Sequence, residues 1–103
     1  MSLSFDVETT AAGVQVVGPL DTRAAPLLLS ALERVAVASG GSVEIDMARC
    51  SYVDSGGVFA LVRAAHMMGS RGATVVLRAP NSNLLRKFDM LGLIGDAPFR
   101  VVA

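Results

Sequence analysis

The sequence has one cysteine, one lysine and no tryptophan among its 103 residues. Because Cys50 is alone, no intrachain disulfide can form, which is typical of a reducing cytosol. Nine basic residues balance nine acidic ones, and both signs are scattered along the chain. The sequence lacks the clustered basic face that would hold a nucleic-acid backbone, so we expect no nucleic-acid partner.

Long apolar runs are also missing, although apolar residues make up 52% of the chain. The runs fall well short of the roughly 20 residues needed to cross a bilayer. No N-terminal segment joins a basic stretch to an apolar one, so we expect no signal peptide. The length is that of one domain of roughly 100–150 residues. We therefore predict a single cytoplasmic domain over residues 1–103, without membrane insertion.

The usual constellations of catalysis are absent from the sequence. There is no nucleophile–base pair, no metal-ligand cluster and no phosphate-binding loop of the Gly-x-x-x-x-Gly-Lys type. His66 has no nearby ligand partner, and we expect it at a surface or edge position and not in a metal or catalytic site. Cys50 has no base that the sequence reveals, and a small buried thiol is expected. These absences predict a protein that is not an enzyme and has neither a metal nor a cofactor.

Strand patterns occur at five places. Apolar and polar residues alternate from Leu3 to Glu8, which is the period of a half-buried strand. We expect Gly18-Pro19 to end the second strand, because proline cannot donate a hydrogen bond to a ladder. The stretch from Met47 to Val53 is expected to be irregular. The predicted strands cover residues 3–8, 14–17, 43–46, 73–77 and 99–102.

Helical spacing of apolar residues occurs in three segments. Asp21 or Thr22 is a suitable N-cap for the first helix, which Gly40-Gly41 would close. Asp54 or Ser55 would cap the second helix, and Asn81 or Ser82 a short third one. The expected inward-facing residues are Leu28, Ala31, Leu32, Val35 and Ala38 in the first helix; Val58, Leu61, Val62, Ala65 and Met68 in the second; and Leu84, Leu85, Phe88 and Leu91 in the third.

The predicted order of elements is β-β-α-β-α-β-α-β. Strands that alternate with helices favour a mainly parallel sheet, and the opening hairpin adds an antiparallel pair. The sequence therefore predicts an α/β fold with a mixed sheet of four or five strands.

Two adjacent glycines, Gly56 and Gly57, stand near the start of the second helix. Each costs about 1 kcal/mol relative to alanine in a helix, so their placement needs an explanation. A bare first turn would let another surface, an anion or a nucleotide approach the unpaired N–H groups. Alternatively, the glycines allow a tight turn or close packing on a strand. Asp21 and Asp54 could be helix caps only, yet both should lie at the carboxyl ends of strands, where partners dock.

Four segments in order resemble the signatures of the STAS domain, a family that includes bacterial anti-sigma factor antagonists. The resemblance runs from about residue 5 to residue 102. It implies a sheet of four to five strands packed with three to four helices, and a regulatory module that binds an anti-sigma factor of the serine-kinase type. The segments are Gly18-Pro19-Leu20-Asp21-Thr22, Val43-Glu44-Ile45-Asp46, Tyr52-Val53-Asp54-Ser55-Gly56-Gly57-Val58-Phe59-Ala60-Leu61 and Arg71-Gly72-Ala73. The implied partner-binding residues are Asp21, Thr22, Tyr52, Asp54, Ser55, Gly56 and Gly57.

The resemblance also implies a switch, in which the kinase phosphorylates the third residue of an Asp-Ser-Ser/Thr-Gly motif and breaks the complex. A phosphate adds about −1.5 to −2 charges to the interface. In this sequence the third residue is Gly56, which has no hydroxyl. Three alternatives stay open: an antagonist that is always competent to bind, Ser55 as a displaced acceptor, or a STAS subunit of another assembly such as a lipid-transport ATPase or a sensory scaffold.

Overall fold

The computed structural model describes residues 6–35, 41–79, 84, 86 and 99–102. The strands in this part are β1 (Asp6–Thr9), β2 (Gly13–Leu20), β3 (Ser42–Val53), β4 (Thr74–Arg78) and β5 (Phe99–Val102), and the helices are α1 (Ala25–Glu33) and α2 (Ser55–Gly69). The strands form one sheet in chain order. Strands β1 and β2 are antiparallel and the other neighbours are parallel, which confirms the predicted mixed α/β sheet.

The core lies between both helices and one face of the sheet. Val14, Ile45 and Leu77 are register partners on neighbouring strands, and all three are fully buried. They join one cluster with residues of both helices, including Leu28 and Leu61. Burial of each large apolar side chain contributes about 1.5–3 kcal/mol. The predicted inward face of α2 is confirmed at Val58, Leu61, Ala65 and Met68, whereas Val62 is only partly buried.

The two central strands are longer than the sequence predicted. Strand β2 continues through Gly18-Pro19 to Leu20, and β3 continues through the supposedly irregular stretch to Val53. Strands β2 and β3 stay paired beyond Pro19 because their register shifts between Gly18 and Pro19. Gly18 has a φ of 85° at this point. Proline is tolerated at such an irregularity because the ladder is already interrupted there.

Helix α1 begins later and ends earlier than predicted. Its N-cap is Ala24, in helical conformation and without a side-chain cap, so neither Asp21 nor Thr22 caps the helix directly. The reason is that a hydrogen-bonded turn over residues 22–24 precedes the helix, and the Asp21 carboxylate accepts N–H groups of that turn instead. The helix ends at Glu33, before the predicted Gly40-Gly41. Pro26 lies in the first turn, where its missing N–H costs nothing.

The predicted third helix lies largely outside the described residues, including Asn81, Ser82, Leu85, Phe88 and Leu91. Within it, Leu84 and Arg86 are helical, and Leu84 is fully buried, as its predicted inward position requires. Residues 3–5, Ala38 and Gly40 also lie outside the described part.

Cys50 is buried, as predicted, and has a raised pKa. The residue is 7% exposed, and its thiol donates to the carbonyl oxygen of Tyr52 at 3.4 Å. Burial disfavours the thiolate and raises the pKa of Cys50. Since the thiolate is the reactive form, the native thiol is poorly nucleophilic.

We expect Cys50 to react slowly with an aromatic disulfide reagent at pH 8 in the native protein, and quickly in urea. Unfolding both exposes the sulfur and returns its pKa to the ordinary value. Stopped-flow absorbance measures the two rates, and the free amino acid serves as the reference. Equal rates in buffer and in urea would contradict the burial of the thiol.

Candidate functional site

The central strands bring two segments distant in the sequence together. Leu20 and Val53 are register partners at the carboxyl ends of parallel strands β2 and β3. The turn that starts at Asp21 therefore lies beside the start of α2, and the N–H of Asp54 donates to the carbonyl of Leu20 at 3.3 Å. The predicted placement of Asp21 and Asp54 at one edge of the sheet is observed.

Asp54 is the N-cap of α2. Its backbone is extended, with φ −97° and ψ −176°, and its carboxylate accepts the N–H of Gly57 at 2.8 Å. Its carbonyl accepts the N–H of Val58 at 2.9 Å. Such a cap stabilises a helix by about 1 kcal/mol. Of the two predicted caps, Asp54 is therefore the correct one, and Ser55 is the exposed first residue of the helix.

Gly57 is required by close packing of α2 against the end of β2. A Cβ at this position would overlap the carbonyl oxygen of Leu20 and lie 2.9 Å from a methyl group of Val53. A backbone carbonyl that belongs to a strand cannot move aside as a side chain can. For Gly57, the close-packing explanation is thus the correct one.

Gly56 packs against the side chain of Thr22. A Cβ on Gly56 would overlap Oγ1 of Thr22 and lie 3.2 Å from both its Cβ and its backbone nitrogen. The side chain of Thr22 therefore fills the space next to the first turn of α2. This turn is not bare, as one of the two explanations supposed, because a hydroxyl from another segment covers it at Gly56.

Asp21 holds the turn that carries Thr22. Its Oδ1 accepts the N–H groups of Arg23 at 2.9 Å and Ala24 at 3.1 Å, and its Oδ2 pairs with the Arg23 guanidinium at 3.0 Å. The hydrogen bond from Arg23 is the main reason that the pKa of Asp21 is lowered. Asp21 is thus ionised at neutral pH, and its carboxylate reaches past Thr22 to hold the backbone of the two residues that follow it.

Large apolar side chains are exposed around this edge. Tyr52 is 47% exposed at the end of β3, and Phe59 is 57% exposed on α2. Phe59 is four residues after Ser55, so the two side chains lie on the same side of the helix. Phe59 was not among the predicted partner-binding residues. The sequence does contain a sign of it. Phe59 follows the inward-facing Val58 and does not share the helical spacing of the buried residues, so an exposed aromatic side chain could have been predicted there. We call Asp21, Thr22, Tyr52, Asp54, Ser55, Gly56 and Phe59 together the helix-start surface.

Other candidate groups do not join this surface. His66 is exposed on α2, as predicted. Among the described residues, no group of three or more His, Cys, Asp or Glu side chains is arranged to hold a metal ion. None of the described helices is long and apolar enough to span a membrane. A cleft lined by residues including Thr9, Gly13, Ser42 and Glu44 lies at the opposite ends of the central strands.

The chain belongs to the STAS domain family, because a model of that domain matches residues 4–100. One relative is the anti-sigma-B factor antagonist of Listeria monocytogenes, which is 31% identical over 96 residues. That match covers 90% of this chain and 84% of the relative.

Two solved structures share the fold. The anti-sigma factor antagonist SpoIIAA in its unphosphorylated form has a TM-score of 0.63 and 22% identity, covering 97% of this chain and 88% of that one. A sulfate transporter family protein from Wolinella succinogenes has a TM-score of 0.65 and 21% identity, covering 85% and 72%. At these identities the structures support the fold alone.

We expect Gly57→Ala to lower the free energy of unfolding by about 1–3 kcal/mol or more, since the new methyl meets a strand carbonyl. Gly69→Ala is the matched control in the same helix, where a Cβ would meet nothing within 4 Å. The control should leave stability unchanged or raise it by up to about 1 kcal/mol. Urea denaturation followed by circular dichroism compares them. Equal stability of the two variants would contradict the close contact.

The effects of Gly56→Ser and Thr22→Ala should not be additive. The serine must displace the Thr22 hydroxyl, so Gly56→Ser should cost more in the native background than in Thr22→Ala. We expect a coupling of at least about 0.5 kcal/mol, which is typical of residues in contact. Urea denaturation of both single variants and the double variant measures it. The same cost in both backgrounds would show that Thr22 does not fill the space beside Gly56.

Proposed function

We propose that this chain is an anti-sigma factor antagonist that binds a serine-kinase-type anti-sigma factor through its helix-start surface. The observation that carries the proposal is the packing of the Asp21–Thr22 turn on the first turn of α2. Tyr52 near the end of β3 and Phe59 on α2 are also exposed. The relationship to the Listeria monocytogenes antagonist supports the choice of partner.

The composition of the helix-start surface suits a protein partner. Aromatic side chains are enriched at the centres of protein interfaces, where they contribute most of the binding energy. Tyr52 and Phe59 are carried by a strand end and a helix, and therefore bind with little loss of backbone freedom. The Asp21 carboxylate, held by Arg23, and the Asp54 carboxylate, held by Gly57, add two polar groups with fixed positions.

The proposed activity is binding and not catalysis. The polar groups of the surface are committed to the backbone: Asp54 caps α2 and Asp21 holds its turn. Among the described residues, neither carboxylate accepts a hydrogen bond from the side chain of a serine, threonine or cysteine. The alternative is that the chain is a STAS subunit of another assembly, and the experiment below distinguishes the two.

Calorimetric titration tests the proposal. The purified chain is titrated, without nucleoside triphosphate, with each serine-kinase-type anti-sigma factor that the genome of its source organism encodes. We expect saturable binding to at least one of them. No binding to any of these proteins would overturn the proposal, and co-purification with a transporter ATPase instead would favour the alternative assembly.

We expect Phe59→Ala to weaken that complex at least about tenfold, as truncation of an aromatic anchor does. Its free energy of unfolding should change by no more than about 0.5 kcal/mol, because the side chain is exposed. Val101→Ala, on β5 at the far edge of the sheet and 47% exposed, is the control for removal of an exposed apolar side chain. Calorimetry and thermal denaturation give both quantities. Unchanged affinity of Phe59→Ala would exclude Phe59 from the interface.

A further inference from the structure

Thr22 places a hydroxyl where residue 56 has none. The overlap between Thr22 Oγ1 and a Cβ built on Gly56 shows that this hydroxyl occupies the space a side chain at position 56 would enter. Thr22 is itself exposed. We propose that Thr22 is the phosphoacceptor of this chain, an inference that rests on the proposed function, since the anti-sigma factor is to supply the kinase activity.

The hydroxyl of Thr22 is both held in position and chemically available. Asp21 fixes the backbone of the turn through the N–H groups of Arg23 and Ala24. Within the described part of the chain, no hydrogen bond engages Oγ1 of Thr22. A hydroxyl that is exposed, positioned and free of a competing partner is suited to attack a phosphorus atom.

Ser55 is the competing hydroxyl. It is exposed at the start of α2 and next to Gly56 in sequence. Successive side chains of an α-helix, however, point about 100° apart around its axis, so the Ser55 side chain leaves on a different side from position 56. A kinase that reaches the side of α2 at Gly56 meets Thr22.

The transfer is an ordinary phosphoryl transfer from ATP bound to the partner. Oγ1 of Thr22 forms a bond to the γ-phosphorus, and the bond from that phosphorus to the oxygen bridging to the β-phosphate breaks. The hydroxyl proton passes to a base of the kinase, and ADP leaves. The products are phosphothreonine at residue 22 and ADP.

The phosphate would oppose rebinding of the partner. It adds about −1.5 to −2 charges at the residue after Asp21, against the first turn of α2 that Asp54 caps. Arg23 already pairs with Asp21, so this guanidinium offsets the added charge only in part. Phosphothreonine therefore places an uncompensated negative charge within the helix-start surface, where contact with the partner would have to desolvate it.

The experiment uses the anti-sigma factor that binds in the titration, with magnesium and ATP. Fragmentation mass spectrometry locates the phosphate on the native chain, and size-exclusion chromatography follows the complex. We expect one phosphate at Thr22 and dissociation of the complex. Thr22→Val should lose phosphate incorporation, whereas Thr22→Ser and Ser55→Ala should retain it.

Failure of this inference is distinguishable from failure of the proposed function. Phosphate on Ser55, or none on a chain that does bind the anti-sigma factor, overturns the role of Thr22 and leaves the proposed function standing. No binding to any anti-sigma factor overturns the proposed function first. Because the site is mapped on the native chain, the result does not depend on the folding of a variant.

Discussion

The contact between the first turn of α2 and the end of β2 is the constraint on which the site depends. The main chain of Gly57 lies so close to the Leu20 carbonyl that no side chain fits between them. The Asp54 carboxylate accepts the N–H of this glycine, which caps the helix. The N–H of Asp54 in turn donates to the same Leu20 carbonyl. One strand end, one cap and one glycine thus fix where the helix begins. Every other residue of the helix-start surface is positioned relative to this junction.

Local patterns in the sequence were sufficient for the order and type of the described elements. The apolar stripe of α2 and the β-branched run of β4 depend on neighbours in the sequence, and both are present as predicted. The extent of β2 and β3 was not predictable in this way. Pro19 normally ends a strand, and only the register shift against β3 shows why this strand continues.

The site was predicted in part, for a similar reason. Asp54 as a cap follows from a local rule, and the meeting of Asp21 with Asp54 follows from parallel strands. The fit of Thr22 against Gly56 does not follow from any local rule, because it needs the packing distance between two segments. An open surface was therefore one of two explanations that the sequence left for Gly56, and the structure instead covers this glycine with a threonine hydroxyl.

The hydrogen bond from Gly57 to the Asp54 carboxylate also connects recognition to local unfolding. The Asp21–Thr22 turn and the start of α2 form one surface only while the first turn of α2 stays packed against the end of β2. A partner that binds this surface and not its frayed form stabilises the docked turn by mass action. Opening of that turn is what exposes the Gly57 amide to solvent exchange. The exchange rate of this one amide therefore reports how fully the surface is occupied, although its nitrogen lies inside the junction.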